Sequence, residues 1–478
     1  MKYRITTLFL SIVFLFGAVE AHAAWTKTYS GLLGRFHTDV VSPDGRMVFM
    51  AGYYLDSANI MKPFIPKIWV SDDGGNTLSD ISGVLSDAAG VYAPTAIEFI
   101  DDVTGWVALD TFVYRTGDLG ANWQSANVGF RVLDLHFFDS QNGIAIGEGG
   151  GFSATSDGGV TWKSAATGTT SDLRRMFWLD KNRGWVGGHR NAPLSVGGKL
   201  LFYHDAVVLR TGDGGASWEP SGAFPAGHGI GPIFFSADGA SGWVATSYRD
   251  DPNSDFNSVA SLFKTTDAGA TFSDAALPKA VGTLTAKTFF GDQSGDIDTA
   301  AILAMHWDGQ GYGHLAGQAY LMDTSESLPG GGKVNRAVMR MVDYSTDDGG
   351  ATWQKTDLGE ILWDTTTMSP TLPANDGHMS AGTFAGPDVG YLVGDQMTVW
   401  AYQLSCTTAA DCHTGSICGA DGVCEPDPNA NPTDPNDTNP TNNGAQDPSG
   451  CGCVASPHVA EIGLYVVVFI GFLRRRRS

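Results

Sequence analysis

One turn signature, Ser/Thr-x-Asp-x-Gly-x-Thr-Trp, recurs six times and constrains this chain more than any other feature. The copies begin at Ser71, Thr116, Thr155, Thr211, Thr265 and Thr346, and their aspartates are Asp73, Asp118, Asp157, Asp213, Asp267 and Asp348. The first copy ends in Leu78 and the fifth in Phe272 where the others have Trp. An internal repeat decides the architecture before local propensities do. The chemistry is that of a hairpin turn. Asp and Ser/Thr side chains exchange hydrogen bonds with turn backbone, Gly takes the left-handed conformation, and the aromatic packs beneath.

A second pattern precedes the boxes. An apolar run is followed by a polar turn, then Gly and a second apolar run. Examples are Ala96–Phe99 then Gly105–Leu109, Leu135–Phe138 then Gly143–Ile146, and Met176–Trp178 then Gly184–Val186. Ile233–Phe235 then Gly242–Val244, and Phe384 then Gly390–Val393, repeat it. Each unit offers three strands, a boxed turn and a fourth strand, the signature of a propeller blade. The fold class is therefore all-β, a seven-bladed β-propeller over 24–405. The seventh unit, about 376–405, has no box and no fourth strand. Ala24-Trp25-Thr26-Lys27-Thr28 matches Thr352–Thr356, the strand after the sixth box. The N-terminal strand is thus expected to complete the last blade and remove the open sheet edges. The units average about 55 residues, above the ~40–50 usual for a blade. The excess is assigned to insertions near 53–66, 189–206, 249–258 and 291–337, where function should concentrate.

Acidic residues outnumber basic ones 51 to 29, which disfavours nucleic acid as a partner. The ends read as processing signals. In 1–23, Lys2 and Arg4 precede a short apolar stretch, and Ala21-His22-Ala23 is a cleavage site, as in a secretory signal peptide. At the other end, Ile462–Leu473 is too short for a comfortable span and is followed by Arg474–Arg477, which hold that end in the cytoplasm. Without Lys2, Arg4 and the tail arginines 23 basic residues remain. Without Glu20 and Glu461 there are 49 acidic ones, a net of −26. That balance favours cation over anion binding.

Before the tail, Cys406, Cys412, Cys418 and Cys424 are evenly spaced in 406–424. In an exported chain they read as two disulfides with three possible pairings, zinc being the rival. Residues 425–450, rich in Pro, Asp, Asn and Thr, read as a disordered linker.

Three resemblances follow from these residues. The segment 451–478, with Gly450-Cys451-Gly452-Cys453, the apolar stretch and the arginine block, resembles the MYXO-CTERM sorting signal. That resemblance implies membrane contact through the C-terminal segment, removal by a sorting protease near Cys451 and Cys453, and delivery to the cell surface. A permanent single-span anchor is the alternative. The boxes resemble the Asp-box (BNR) repeat of sialidases, and the fuller unit is similar to photosystem II assembly-factor propellers. In those families the boxes lie on the rim and are structural. A sialidase-like glycosidase needs an arginine triad, a Tyr–Glu pair and an Asp acid. Its Arg-Ile-Pro marker is replaced here by Phe64-Ile65-Pro66-Lys67, and arginines such as Arg35, Arg131 and Arg210 occur singly.

His306, Trp307, Asp308, Tyr312 and His314 form the one tentative ligand loop, either a carbohydrate-stacking platform or metal clip, or a glycine-rich surface loop. Asp292, Asp296 and Asp298 loosely resemble a calcium loop without the EF-hand spacing, the alternative being ordinary turn chemistry. No Ser-His-Asp elbow, P-loop or HExxH is present. No catalytic residue, metal or other cofactor is assigned. The function expected is an exported, non-catalytic binding or scaffolding propeller with a protein or glycan ligand, the alternatives being a sialidase-like glycosidase and a calcium-dependent adhesin. Mass spectrometry of the surface-displayed protein should find no peptide containing Leu473; its recovery would establish the permanent anchor.

Overall fold

The computed structural model describes residues 24–426 except 30–33, 43–46, 56–63, 84, 86–92, 197–198, 250–257, 279–281, 289–290, 298, 309–310, 328–332, 364–378, 387, 395–398, 405, 407, 410–411, 414–415 and 420–422. The expected signal peptide, linker and sorting segment thus lie outside the described residues, apart from 425–426.

Strand β1 (Ala24–Tyr29) opens the chain. Blade 1 is β2 (Gly34–Val41), β3 (Val48–Leu55), β4 (Phe64–Ser71) and β5 (Ser79–Asp80). Blade 2 is β6 (Ala96–Phe99), β7 (Gly105–Leu109), β8 (Phe112–Thr116) and β9 (Gln124–Asn127). Blade 3 is β10 (Val132–Phe137), β11 (Gly143–Gly147), β12 (Gly151–Thr155) and β13 (Lys163–Ser164). Blade 4 is β14 (Asp172–Trp178), β15 (Gly184–Val196), β16 (Lys199–Thr211) and β17 (Glu219–Pro220). Blade 5 is β18 (Gly229–Phe235), β19 (Gly242–Arg249), β20 (Ser258–Thr265) and β21 (Ser273–Asp274). A separate hairpin, β22 (Gly282–Thr288) and β23 (Gly291–Ile297), leads to blade 6: β24 (Thr299–Trp307), β25 (Gly313–Ser327), β26 (Lys333–Thr346) and β27 (Gln354–Trp363). Blade 7 is β28 (Met379–Phe384), β29 (Val389–Gly394) and β30 (Val399–Gln403), completed by β1. Two short strands, β31 (Ser416–Cys418) and β32 (Cys424–Pro426), follow. No α-helix occurs among the described residues.

The first strand of every blade touches the first strands of both neighbours, so β2, β6, β10, β14, β18, β24 and β28 close a ring around the axis. The seam is closed as expected, with Ala24 opposite Gln403 and Lys27 opposite Trp400. One expectation is corrected. The stretch 291–337 is not simply an insertion, because it holds β24, the innermost strand of blade 6. Asp292 and Asp296 lie in β23, paired with β22, rather than in a loop, and Asp298 lies outside the described residues.

The packing rule is an aromatic ring over a glycine, with a second ring stacked on its other face at four of the seams. The last aromatic of the first strand lies over the glycine that opens the second: Phe99 over Gly105, Phe137 over Gly143, Trp178 over Gly184, Phe235 over Gly242, Trp307 over Gly313 and Phe384 over Gly390. A Cβ on any of these glycines would fall 2.3–2.6 Å from ring carbons. Blade 1 makes the paired exchange, with Val41 opposite Val48. The other ring face meets the preceding blade. Phe49 stacks on Phe99 at 3.7 Å, Trp106 on Phe137 at 3.6 Å, Trp185 on Phe235 at 3.7 Å and Trp243 on Trp307 at 3.9 Å. Such pairs contribute ~0.5–1.5 kcal/mol beyond their buried area.

The boxes seal the same seams. Oxygens of Asp73, Asp118, Asp157, Asp213, Asp267 and Asp348 accept hydrogen bonds at 2.5–2.9 Å from the Ser/Thr two residues earlier and from the residue four later. Two successive residues are left-handed, Gly158 and Gly159 in the third box, and Leu119 and Ala268 take the first place in the second and fifth. The carbonyl of that first residue accepts from the preceding blade: Gly158 from Trp106 Nε1 (2.9 Å), Ala268 from Trp185 Nε1 (3.1 Å) and Gly349 from Lys264 Nζ (2.8 Å).

Gly143→Ala should therefore destabilise the fold by ~1–3 kcal/mol, because the methyl group overlaps the Phe137 ring. Gly117→Ala, where nothing lies within 4 Å of the added Cβ, should change the urea midpoint little. Equal shifts for the two would refute the sandwich as the packing constraint.

Candidate functional site

The two ends of the ring differ. Boxed turns and the turns between first and second strands share one end, because Gly158 N donates to Gln141 O, Gly214 N to Asn182 O and Gly349 N to Gly311 O. Hairpins joining second and third strands project from the other. There blade 2 turns over at Asp110 and Thr111, while β15 and β16 have 13 residues each and β25 and β26 have 15 and 14. At ~3.3 Å per residue, β15 runs about 26 Å further than the five-residue β7.

At this hairpin end the starts of the inner strands bring charges together. Arg35 and His37 come from blade 1, Arg131 precedes β10, and Arg174 and Arg175 lie on β14. Arg131 pairs with Glu148 at 3.1 Å. Gly149 N donates to Asp172, whose other oxygen holds Arg174 at 2.9 Å. His37 falls to about 3, through burial first and then the charges of Arg35 and Arg131. Both arginines, from different blades, act against the charged form of the His37 imidazole.

Deeper along the axis the groups are buried. Glu98 Oε1 lies 3.1 Å from His136 Nδ1 across the seam between blades 2 and 3. Asp134 accepts main-chain hydrogen bonds from Leu135 (3.0 Å) and Met176 (3.1 Å). Its carboxyl is pushed up to about 7, chiefly by burial, with Arg175 opposing and Glu98 adding. Burial lowers Arg175 to about 10. That guanidinium is 3% exposed, donates to Arg174 O at 2.5 Å, and its Nε has no partner. The arrangement can receive a charged group and hold a proton on Asp134 near neutral pH.

The expected ligand loop does not present a platform. Trp307 and Tyr312 are 3% and 7% exposed, and Trp307 is the blade 6 member of the ring sandwich. Asp308 closes the turn, its Oδ1 accepting from Tyr312 N at 3.0 Å. His314 is fully buried and bonded through Nε2 to Asp343, between the rings of Phe384 and Tyr402 at 4.5 Å each. Burial lowers His306, beside Phe234, to about 4, and His314 adds to the effect. The stretch is thus the sixth copy of the strand–turn–glycine pattern.

The cysteines pair Cys406–Cys418 and Cys412–Cys424. Among the described residues, the one set of metal-ligating side chains within reach of a common ion is Cys406, Cys412 and Cys424, whose sulfurs these disulfides occupy. Cys451 and Cys453 lie outside the described residues. No helix among the described residues is long and apolar enough to cross a membrane.

Asp39 stands apart. It faces Met50 at the register position filled by Ile97, Leu135, Met176, Ile233 and Met305 in other blades. It is fully buried, and among the described residues neither carboxyl oxygen has a partner beyond its own main-chain N–H. Burial raises its carboxyl well above the usual range.

No protein-family model and no curated protein matches the chain. Solved structures similar to it include YCF48 from Cyanidioschyzon merolae, at 14% identity over 80% of this chain and 98% of that one, with a TM-score of 0.46. A YCF48 bound to D1 peptide gives 12% identity, coverage of 80% and 97%, and a TM-score of 0.45. The GH74 xyloglucanase from Xanthomonas campestris gives 14% identity and a TM-score of 0.48, over 80% of this chain and 53% of that one. This chain spans about half of that enzyme. The blade assignment rests on the strand pairing above.

Asp39→Leu, nearly isosteric, should stabilise the protein at pH 7 by ~1–3 kcal/mol. The folded carboxyl binds its proton more tightly than the unfolded one, so the native chain loses stability as pH rises above ~4, where a free aspartate ionises. The Leu variant lacks that slope, and its advantage should shrink toward pH 3. Urea midpoints from pH 3 to 8 test this; parallel profiles would refute the unpaired buried acid.

Proposed function

We propose that this chain is an exported, surface-displayed binding propeller without catalytic activity, which engages a protein ligand through its hairpin end. One observation carries the reading. Arg35, Arg131 and Arg174, at the starts of inner strands of three blades, lie at that end, with Arg175 buried below them, in a chain of net charge −22. Rigid strands position these groups, and hairpins of unequal length surround them, which is how propellers and barrels carry specificity. The ligand chemistry that fits is a protein segment bearing carboxylates, held by charge-assisted hydrogen bonds. Calcium and the adhesin reading find no separate support. Export and display rest on the two processing segments, 1–23 and 451–478.

A second reading, a glycoside hydrolase, draws on Asp134. A buried carboxyl pushed up to about 7 is the kind of group that general-acid chemistry uses.

The test is a binding screen against surface protein extracts and glycan arrays with salt dependence. Arg131→Glu with Arg174→Glu should weaken binding at least ~10-fold, whereas Lys163→Glu at the boxed end should not. Binding indifferent to the mouth variant would overturn the proposal. Turnover of fluorogenic glycosides that Asp134→Asn abolishes would establish the second reading in its place.

A further inference from the structure

Closure of the ring depends on β1 pairing with β30, and β30 runs directly into the disulfide module, after which the sequence is expected to form a stalk-like linker. Gln403, its last residue, lies opposite both Val389 and Ala24. A pull transmitted along the stalk would act on Gln403 and peel β30 from both neighbours in turn.

The disulfide module intercepts that path. Leu404 N donates to Asp388 O at 3.2 Å, and Cys424 N donates to Leu404 O at 2.8 Å. The main-chain N–H of His413 donates to Asp388 Oδ2 at 2.8 Å, and His413 Nδ1 lies 2.5 Å from Asp388 Oδ1. Asp388 is fully buried in the turn between β28 and β29. The His413 ring stacks on Tyr312 of blade 6 at 4.0 Å. Leu404, Cys406 and Cys424 form a small buried cluster of their own. The interlaced disulfides tie Cys424 covalently to Cys412, next to His413.

We propose that residues 404–426 are a clip that transfers load from the stalk to the turns of blades 6 and 7, through His413 on Asp388 and Tyr312, and so keeps β30 from peeling. The docking turns belong to the boxed end. The module therefore sits on the side opposite the hairpins, away from the proposed ligand end. The clip itself does not depend on what that end binds.

Amide hydrogen exchange on the full chain tests this. His413→Ala should accelerate exchange in 24–29 and 399–403 about 10-fold and leave 132–164 unchanged. Cys412→Ser with Cys424→Ser, or wild type treated with dithiothreitol, should do the same. Unchanged exchange at the two seam strands, or equal acceleration throughout, would overturn the clip. So would separation of the two treatments, with only disulfide loss affecting the seam. If His413→Ala does not fold, the dithiothreitol comparison on wild type decides by the same criteria.

Discussion

A ring lying flat over a glycine and meeting a second ring on its other face organises this molecule. The glycine is required for space, since its own strand geometry is ordinary and only the ring occupies the position of a side chain. Because the second ring comes from the preceding blade, one contact fixes both the strand pairing within a blade and the angle between blades. The cost of altering it is steric and local. Where blade 1 lacks the aromatic it also lacks the glycine, having Val41 and Val48 instead. The exchange of both partners shows that the constraint acts on the pair.

This also explains what the sequence made legible. The boxes are local, each complete within eight residues, so the fold and the closing role of Ala24–Tyr29 could be read directly. Trp307 was harder, because it sits in a stretch whose length suggested an insertion. Its signal was nevertheless present. The glycine follows the aromatic by six residues in blades 2, 3, 4 and 7, and Gly313 follows Trp307 by the same interval. The axial charges had no such signal. Glu98 and His136 are 38 residues apart, and Arg35, Arg131 and the Arg174-Arg175 pair are far apart in the sequence. Only the closed ring brings them together. His413 and Asp388 were hidden likewise, since even cysteine spacing says nothing about what a disulfide module docks against.

The two ends of the ring distribute polarity differently. At the boxed end each aspartate is saturated by its own turn, and Asp157 is held down to about 2 by the hydrogen bonds of Thr161 and Thr155. Such groups have little left to offer a ligand, which is why six recurring carboxylates amount to no site. At the hairpin end the charges are neutralised within each blade, by Glu148 for Arg131 and by Asp172 for Arg174, and the Gly149 N–H to Asp172 hydrogen bond links the two pairs. The partner carboxylates there are partly solvated, with Glu148 and Asp172 44% and 30% exposed.

Asp39 and Arg175 complete the argument, because neither serves the fold. Five blades place an aliphatic side chain where blade 1 has Asp39, so packing alone does not call for an acid. Arg175 leaves its Nε without a partner while buried. Buried polar groups without full partners cost free energy, and proteins tend to tolerate that cost where a site is being held ready. Both residues lie on inner strands around the axis. The boxed end, by contrast, is satisfied and carries the disulfide module on the turn at Asp388. Saturated turns at one end and buried polar groups on the inner strands give the two ends of the ring different chemistry.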